Sequence, residues 1–246
     1  MIRIAKYNIQ KHGPEVEGLL KRYIIPTYMK RLGLENKKQA DACQKYESVF
    51  DVNGVYNTKF EGVSLVALND NNQVKACMLS YFIDTLDLKE SFEIMNENIK
   101  ELKERSANAN PNNCGILSKQ TLETITKYME HRYEIEQCIH DLTTRFNVKR
   151  FLYIESTIVD PDSRHHGIAD AFAMETAHLG KSELVVSEGM MSKAVWDRAN
   201  YLEDGYLGYV TSKVFESYDG FVCPLIFVAP GEVPKECGIP SLVSKL

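Results

Sequence analysis

The feature that most constrains this chain is an apolar segment that ends in a polar turn and leads straight into a helical segment. Phe151–Val159 is rich in apolar and β-branched residues, which predicts a β-strand. Asp160–His166 is polar and contains a proline, which is typical of a turn. Gly167–Leu179 then has apolar residues at helical spacing. The sequence therefore predicts a strand, a tight turn and a helix in direct succession.

This strand-to-helix junction is suited to binding a phosphate. The first backbone N–H groups of a helix have no partner inside the helix, and the helix dipole adds positive potential there. Gly167 and Ala169 leave room for a pyrophosphate, and Arg164, His165 and His166 can add positive charge. The plainer interpretation is an ordinary turn with a solvated Arg164. The segment from Arg164 to Ala169 does not decide between the two by itself.

The N-terminal part predicts a strand followed by helices. Ile2–Ile9 alternates polar and apolar residues like a strand. Gly13 and Pro14 open a helical apolar pattern that runs to Ile24, and Pro26 is expected to kink or end that helix. A second, short helix is expected over Lys37–Phe50.

A hairpin and a helical insertion follow. Gly62–Leu68 and Gln73–Ile83 are β-rich runs separated by four polar residues, which predicts a hairpin. Leu88–Leu102 carries apolar residues every three or four positions, and Ser118 can cap another helix that continues through Phe146. We expect these two helices, at about 88–147, to interrupt the strands.

The C-terminal part predicts further alternation of strands and helices. Ser182–Ser187 is expected to be a short strand, Ser192–Tyr201 a helix, and Tyr206–Phe215 and Phe221–Val228 a final pair of strands. The predicted fold is α/β with α+β character: a mixed sheet flanked by helices. No boundary or linker is visible, so residues 1–246 are expected to form one domain.

Composition narrows the class of protein. The chain has 246 residues, 44% of them hydrophobic and 26% charged, which is enough to bury a full core. Its six cysteines form no CxxC pair, so we expect reduced thiols and a cytoplasmic protein. The longest apolar run, Phe221–Pro230, is far below the ~18 residues that a membrane span needs. The net charge of −5 argues against a nucleic-acid partner.

Two other kinds of site are not expected in this chain. His165, His166 and His178 lack the spacing of metal ligands, so no metal is expected. Cys138, His140 and Asp141 are too close on one helix to form a nucleophile, base and orienting group, and no GxSxG motif exists, so a hydrolase is not expected.

The context of the junction resembles a known superfamily. Arg-x-x-Gly-x-Ala, from Arg164 to Ala169, follows an apolar strand and precedes a short strand, a helix and then Tyr201-Leu-Glu-Asp-Gly-Tyr206. This series resembles the GNAT superfamily of acetyl-CoA-dependent N-acetyltransferases, and it implies a mostly antiparallel central sheet. The helical insertion is similar to that of the invertebrate dopamine-type arylalkylamine N-acetyltransferases. Their acidic Asp-Glu-Pro motif has no counterpart near Ile24–Pro26.

The resemblance implies acetyl-CoA as the acetyl donor. It implies that the turn cradles the pyrophosphate and that the end of the preceding strand hydrogen-bonds the pantetheine arm. The cofactor-binding residues expected on this basis are Thr157, Ile158, Val159, Arg164, His165, His166, Gly167, Ile168, Ala169 and Asp170.

Two residues are candidates for proton transfer. An alkylamine is mostly protonated near neutral pH, so a base must take its proton before it attacks a thioester. Glu155 lies mid-strand, where strand alternation places it on one face with Tyr153 and Thr157, and we expect it to be that base. A solvated or ion-paired Glu155 is the alternative. Tyr201 can donate a proton to the departing thiolate or can simply pack.

The expected function is acetyl transfer from acetyl-CoA to a primary amine of a small molecule. An arylalkylamine is the first choice of acceptor, and a polyamine or another small amine is the second. A catalytically silent acyl-CoA-binding module is the alternative from another class of protein.

Overall fold

One continuous sheet organises the protein. The structure, a computed structural model, describes residues 2–109, 115–179, 184–188, 191–192, 208–210, 221–222 and 225–228. Within these residues the strands, in chain order, are β1 (Arg3–Lys6), β2 (Leu65–Leu68), β3 (Val74–Asp84), β4 (Arg150–Val159), β5 (Leu184–Glu188), β6 (Met191–Ser192), β7 (Gly208–Val210), β8 (Phe221–Val222) and β9 (Leu225–Val228).

The described strands follow a mixed topology. Seven of them form one sheet in the order β1-β2-β3-β4-β5-β9-β7, and β6 pairs with β8 separately. Neighbouring strands of the large sheet are antiparallel except β4 and β5, which are parallel. The predicted fold class, a mixed and mostly antiparallel sheet flanked by helices, is confirmed.

The helices occupy both faces of this sheet. The α-helices of the described residues are α1 (Ile9–Leu19), α2 (Ile25–Arg31), α3 (Lys37–Cys43), α4 (Thr85–Asn108), α5 (Lys119–Arg145) and α6 (Ile168–Leu179). On one face Phe151 packs with Ile139 and Leu142 of α5. On the other face Leu152 packs with Phe172 of α6. None of the described helices is both long and apolar enough to cross a bilayer.

The first helix begins earlier and runs further than its sequence pattern indicates. Asn8 caps α1 by accepting a hydrogen bond from the Lys11 N–H at 3.0 Å, so the helix starts at Ile9 instead of at Gly13. A π-helical turn, Leu20–Ile24, joins α1 directly to α2. Pro26 does not end the helix, because it lies in the first turn of α2, where a backbone N–H is not needed.

The segment after α3 differs most from its prediction, because the helix expected over Lys37–Phe50 ends at Cys43. Three 3-10 turns follow, at Ser48–Phe50, Val52–Tyr56 and Thr58–Phe60. In each turn the preceding side chain accepts a hydrogen bond from the backbone: Glu47 from Val49, Asp51 from Asn53, and Asn57 from Lys59. Such local bonds compete with a continuing helix.

The hairpin and both insertion helices are confirmed. The β2–β3 register places Leu68 opposite Val74, and the Asn69 side chain accepts hydrogen bonds from the N–H groups of Asn71 and Gln73 in the turn. Ser118 caps α5 by accepting from the Thr121 N–H at 3.1 Å. The stripe predicted on α4 is buried or partly buried against neighbouring helices: Leu88, Phe92, Met95, Ile99 and Leu102.

The C-terminal prediction is confirmed in part. β5 matches the strand expected at Ser182–Ser187, and β7, β8 and β9 fall within the final pair of predicted strands. Ser192, expected to begin a helix, lies in β6 instead. The rest of that predicted helix, including Tyr201, lies outside the described residues.

Candidate active site

The end of β4 is anchored by a buried carboxylate. Asp160 follows β4 directly and starts a 3-10 turn, Pro161–Ser163, by accepting a hydrogen bond from the Asp162 N–H at 3.4 Å. Its side chain also accepts from the Tyr23 hydroxyl at 3.3 Å, and its backbone N–H donates to the Lys75 carbonyl at 2.8 Å. These bonds fix the direction in which the chain leaves the sheet.

A sharp turn then places the start of α6 beside the end of β4. His165 and Gly167 both adopt left-handed backbone conformations, with φ of 65° and 71°. The Gly167 carbonyl accepts from the Ala171 N–H at 2.9 Å, which begins the helix. Left-handed φ is costly for most side chains and free for glycine, so Gly167 suits this position.

The turn presents hydrogen-bond donors and positive charge to solvent. The first N–H groups of α6 have no intrahelical partner. Arg164, His165, His166 and Ala169 are exposed, whereas Ile168 is buried and fixes the helix to the sheet. The Arg164 Nε donates to the Val159 carbonyl at 3.4 Å, so the guanidinium lies close to the last residue of β4. This arrangement fits the predicted pyrophosphate cradle.

One edge of β4 is open next to this cradle. β4 pairs with β5 only over Phe151–Ile154, whereas its pairing with β3 continues to Val159. On the β5 side, no described strand pairs with Thr157, Ile158 or Val159. An extended ligand can satisfy such an edge by adding as a strand. The three residues predicted to hydrogen-bond the pantetheine arm therefore lie on a backbone edge that is open within the described chain.

Glu155 is the extra residue of a β-bulge. In the β3–β4 register Ser80 pairs with Ile154 and Leu79 pairs with Ser156, so Glu155 has no partner on β3. Bulges bend a strand locally and re-aim the side chain of the extra residue. This bulge lies where the pairing of β4 with β5 ends. The bulge therefore places the Glu155 carboxylate at the start of the open edge of β4.

The bulge corrects one expectation about side-chain direction. Strand alternation predicted that Thr157 shares a face with Tyr153 and Glu155. Because the extra residue shifts the alternation, Ser156 and Ile158 lie on the Tyr153 face, and Thr157 lies on the face of Ile154. The shared-face prediction was therefore wrong for Thr157.

The Glu155 carboxylate lies in a mostly buried, charged pocket. Its side chain is 26% exposed, the Lys59 Nζ is 3.6 Å from Oε2, and the Ser48 hydroxyl donates to Oε1 at 3.5 Å. Burial raises the pKa of Glu155 above its ordinary value, and the negative charge of Glu47 adds to that rise. Lys59 and Arg132 oppose it. A carboxyl group with a raised pKa is a better proton acceptor than an ordinary one.

Sequence reasoning missed Glu47, a second carboxylate near Glu155. Glu47 is only 4% exposed. It accepts hydrogen bonds from the Tyr128 hydroxyl, from the Arg132 Nη1 at 3.1 Å and from the Val49 N–H at 3.2 Å. No motif marks Glu47, because its partners on α5 are more than 80 residues away in the chain.

Aromatic rings pack against one another beside Glu155. Tyr81 stacks edge-to-face on Phe60 and on Tyr153, with ring centroids 5.5 and 5.6 Å apart. The Lys59 ammonium lies 3.6 Å from the centroid of the Tyr81 ring. Phe60 belongs to this group, whereas Tyr28 and Tyr46 pack in a separate helical cluster.

Two of the predicted site residues lie wholly or partly outside the described part of the chain. Tyr201 lies outside the described residues. Asp170 lies in the first turn of α6, but its side chain is also outside the described part. Among the side chains that the structure describes, no group of three or more His, Cys, Asp and Glu residues could hold a metal ion.

Comparison with known proteins identifies the fold. No family model matches the chain, and the comparison with curated proteins gives no match. Among solved structures, a mutant agmatine N-acetyltransferase in its apo form is similar over 93% of this chain and 99% of its own, with a TM-score of 0.57 and 13% identity.

Two insect structures are similar to the same degree. Arylalkylamine N-acetyltransferase 2 from Aedes aegypti matches over 93% of this chain and 98% of its own (TM-score 0.55, 14% identity). The polyamine N-acetyltransferase of Drosophila melanogaster matches over 92% and 97% (TM-score 0.54, 14% identity). At these identities the likeness shows the fold, which is the one that the sequence resemblance implied.

The cradle predicts an effect of Gly167→Glu on coenzyme binding. A carboxylate at this position would fill the space beside the first turn of α6 and repel phosphates, so calorimetry should detect no coenzyme A binding. Gly33→Glu is the matched control, because Gly33 also has a left-handed φ of 65° and has no atom within 4 Å of an added Cβ. Both variants should lose about 1 kcal/mol of stability or more, but Gly33→Glu should bind as wild type does. Undiminished binding by a folded Gly167→Glu protein would place the coenzyme elsewhere.

The buried carboxyl predicts a pH dependence of stability. Because the pKa of Glu155 is raised in the folded state, the folded protein holds this proton more tightly than the unfolded chain does. The free energy of unfolding should therefore lose a component as pH rises from the ordinary value of 4.5 through the raised pKa. Glu155→Gln should lack that component, so urea denaturation across this range should show wild type losing stability relative to the variant. Parallel pH profiles for the two proteins would contradict the assignment.

Proposed function

We propose that this protein transfers an acetyl group from acetyl-CoA to a primary amine of a small molecule. The single observation that carries the proposal is the bulge that places Glu155, a carboxyl group with a raised pKa, at the start of the open edge of β4. The other end of that edge leads into the cradle at α6. A site for phosphates and a site for proton transfer thus lie at the two ends of one backbone edge.

The spacing of the two sites suits the coenzyme. From Glu155 to Val159 the strand advances four residues, about 13 Å at ~3.3 Å per residue. That distance is comparable to an extended pantetheine arm. Arg164–Ala169 would hold the pyrophosphate, and Thr157–Val159 would hydrogen-bond the arm. When bound, acetyl-CoA supplies an activated thioester as the acetyl donor.

Glu155 is the group we assign as base. It accepts a proton from the ammonium of the substrate, directly or through a water, and so produces the neutral amine that can attack. Glu47 is the other carboxylate of the pocket, but the Tyr128 hydroxyl, the Arg132 guanidinium and a backbone N–H already use its oxygens. Its negative charge instead favours the protonated form of Glu155.

Small cationic amines fit the pocket best. The Glu155 carboxylate can attract an ammonium, and the partly exposed ring of Tyr81 lies beside it and can contact an aryl group. We therefore keep an arylalkylamine as the first acceptor and a polyamine or another small amine as the second. The similar structures are named for agmatine, arylalkylamine and polyamine acetylation, which supports the same range.

A thiol-release assay with an amine panel tests the function itself. Phenethylamine, tryptamine, agmatine and spermidine should be offered with acetyl-CoA, and free thiol should appear with at least one of them. Coenzyme binding without thiol release would instead indicate the catalytically silent acyl-CoA-binding module.

The base assignment predicts a selective loss of turnover in Glu155→Gln. Turnover should fall by ~10²- to 10⁴-fold, the usual worth of a general base, while coenzyme affinity stays near that of wild type. The acidic limb of the pH–rate profile should disappear with the titrating group. Glu130→Gln is the matched control, because Glu130 also forms an ion pair with a lysine, Lys103, but on the exposed surface of α4 and α5. Retention of the acidic limb in Glu155→Gln and its loss in Glu47→Gln would make Glu47 the base.

Tyr201 is proposed as the acid that protonates the departing thiolate. A thiol titrates near ~8.5, so the thiolate leaves readily and the loss of its acid should cost less than the loss of the base. Tyr201→Phe removes only the hydroxyl, so turnover should fall and the basic limb of the pH–rate profile should shift, with coenzyme binding unchanged. Wild-type turnover with the same basic limb, where chemistry limits the rate, would make Tyr201 a packing residue.

A further inference from the structure

The pocket beside Glu155 already contains a primary amine. Lys59 lies in the 3-10 turn Thr58–Phe60, whose backbone is fixed by the bond from the Lys59 N–H to the Asn57 side chain at 2.9 Å. From there the side chain extends to β3 and β4. Its ammonium ends 3.6 Å from the Glu155 carboxylate.

Two aromatic rings and one carboxylate surround this ammonium, and groups of these kinds recognise alkylammonium ions. The Lys59 Nζ lies 3.6 Å from the Tyr81 ring centroid, 4.8 Å from the Phe60 ring centroid and 3.6 Å from the Glu155 Oε2. Aromatic faces and a carboxylate together bind such cations in proteins. The Lys59 side chain is 37% exposed, so it is not sealed in place and can move aside for a free amine.

We propose that Lys59 is an acetylation site of this protein, modified in its own active site when the acetyl donor is bound and no free amine occupies the pocket. The inference rests on the proposed function, because it uses the same donor and the same base. It differs from that function in its acceptor, which is a side chain of the protein itself.

The step balances without a further reactant. Glu155 takes a proton from the Lys59 ammonium, and the neutral Nζ forms a C–N bond to the thioester carbonyl carbon. The C–S bond breaks, the nitrogen loses its second proton as the amide forms, and the sulfur leaves as a thiolate that takes up that proton. The products are Nε-acetylated Lys59, free coenzyme A and one proton released to solvent.

Acetylation would change the pocket in two ways. The amide is neutral, so the ion pair with Glu155 and the cation–π contacts with Tyr81 and Phe60 would be lost. The acetamide is also bulkier than the ammonium, so it would take up space near Glu155, where the amine substrate must bind. Acetylated protein should therefore turn over free amines more slowly than unmodified protein.

The test uses the full chain with deuterium-labelled acetyl-CoA and no added amine. The label separates acetyl groups gained in the assay from those gained during expression, and peptide mass spectrometry maps their position. Lys103 is the internal control, because it also pairs with a glutamate, Glu130 at 2.7 Å, but is more exposed at 59%. Uncatalysed acetylation would favour Lys103, whereas the proposed reaction should label Lys59.

Three variants and a concentration series make the result specific. Glu155→Gln should slow labelling of Lys59 on the order of a hundredfold or more, because the base is lost. Lys59→Arg should abolish the main labelled peptide, with coenzyme binding by calorimetry as the check on folding, and Lys103→Arg should leave labelling of Lys59 unchanged. The rate per molecule should not depend on protein concentration, as expected for a reaction within one chain.

Separate outcomes overturn the inference and the proposed function. If free amines are acetylated but Lys59 gains no label, or gains it no faster than Lys103, the inference is wrong and the proposed function stands. If coenzyme A binds but neither a free amine nor Lys59 is acetylated, both are wrong.

Discussion

The site depends on where one strand stops pairing. Within the described residues β4 lies between β3 and β5, and there it pairs with β5 only as far as Ile154 and with β3 as far as Val159. Backbone N–H and C=O groups that lose a partner strand must find water or a ligand, so an open edge inside a sheet invites an extended ligand. The cradle at Arg164–Ala169 and the carboxylate of Glu155 lie at opposite ends of this edge. Both elements of the proposed site are thus positioned by one interruption in the sheet.

The chemistry of the pocket depends on a balance of charges on partly buried side chains. Glu47 and Glu155 are both carboxylates, and Lys59 and Arg132 supply the compensating positive charge. Glu47 is held by direct hydrogen bonds from Tyr128 and Arg132, whereas Glu155 has only a longer contact with Lys59 and one with Ser48. Burial raises the pKa of Glu155. Two residues of the same type are given different roles by their partners.

The helical insertion and the segment after α3 complete the pocket together. Tyr128 and Arg132 come from α5, while Glu47, Ser48 and Lys59 come from the loop of 3-10 turns. The insertion thus supplies polar partners as well as apolar packing. Without these residues, the sheet and the proposed cradle would lack the groups that surround Glu155.

The sequence by itself determined the elements with strong local signals. The Asn69–Asn72 turn between β2 and β3, the Ser118 cap and the apolar stripe from Leu88 to Leu102 follow from turn chemistry, capping and periodicity, which depend only on neighbours in the chain. The strand, turn and helix around Gly167 were predicted for the same reason.

Tertiary structure decided the rest. The bulge at Glu155 arises only when β4 pairs with β3, so alternation misplaced Thr157. The helix expected to reach Phe50 stopped at Cys43, and the pattern of the sequence did not reveal that Glu47 and Lys59 would meet Glu155 in one pocket. The contacts in this pocket join residues about 80 to 110 positions apart in the chain. Such contacts are set by how the sheet and helices pack, not by any local pattern.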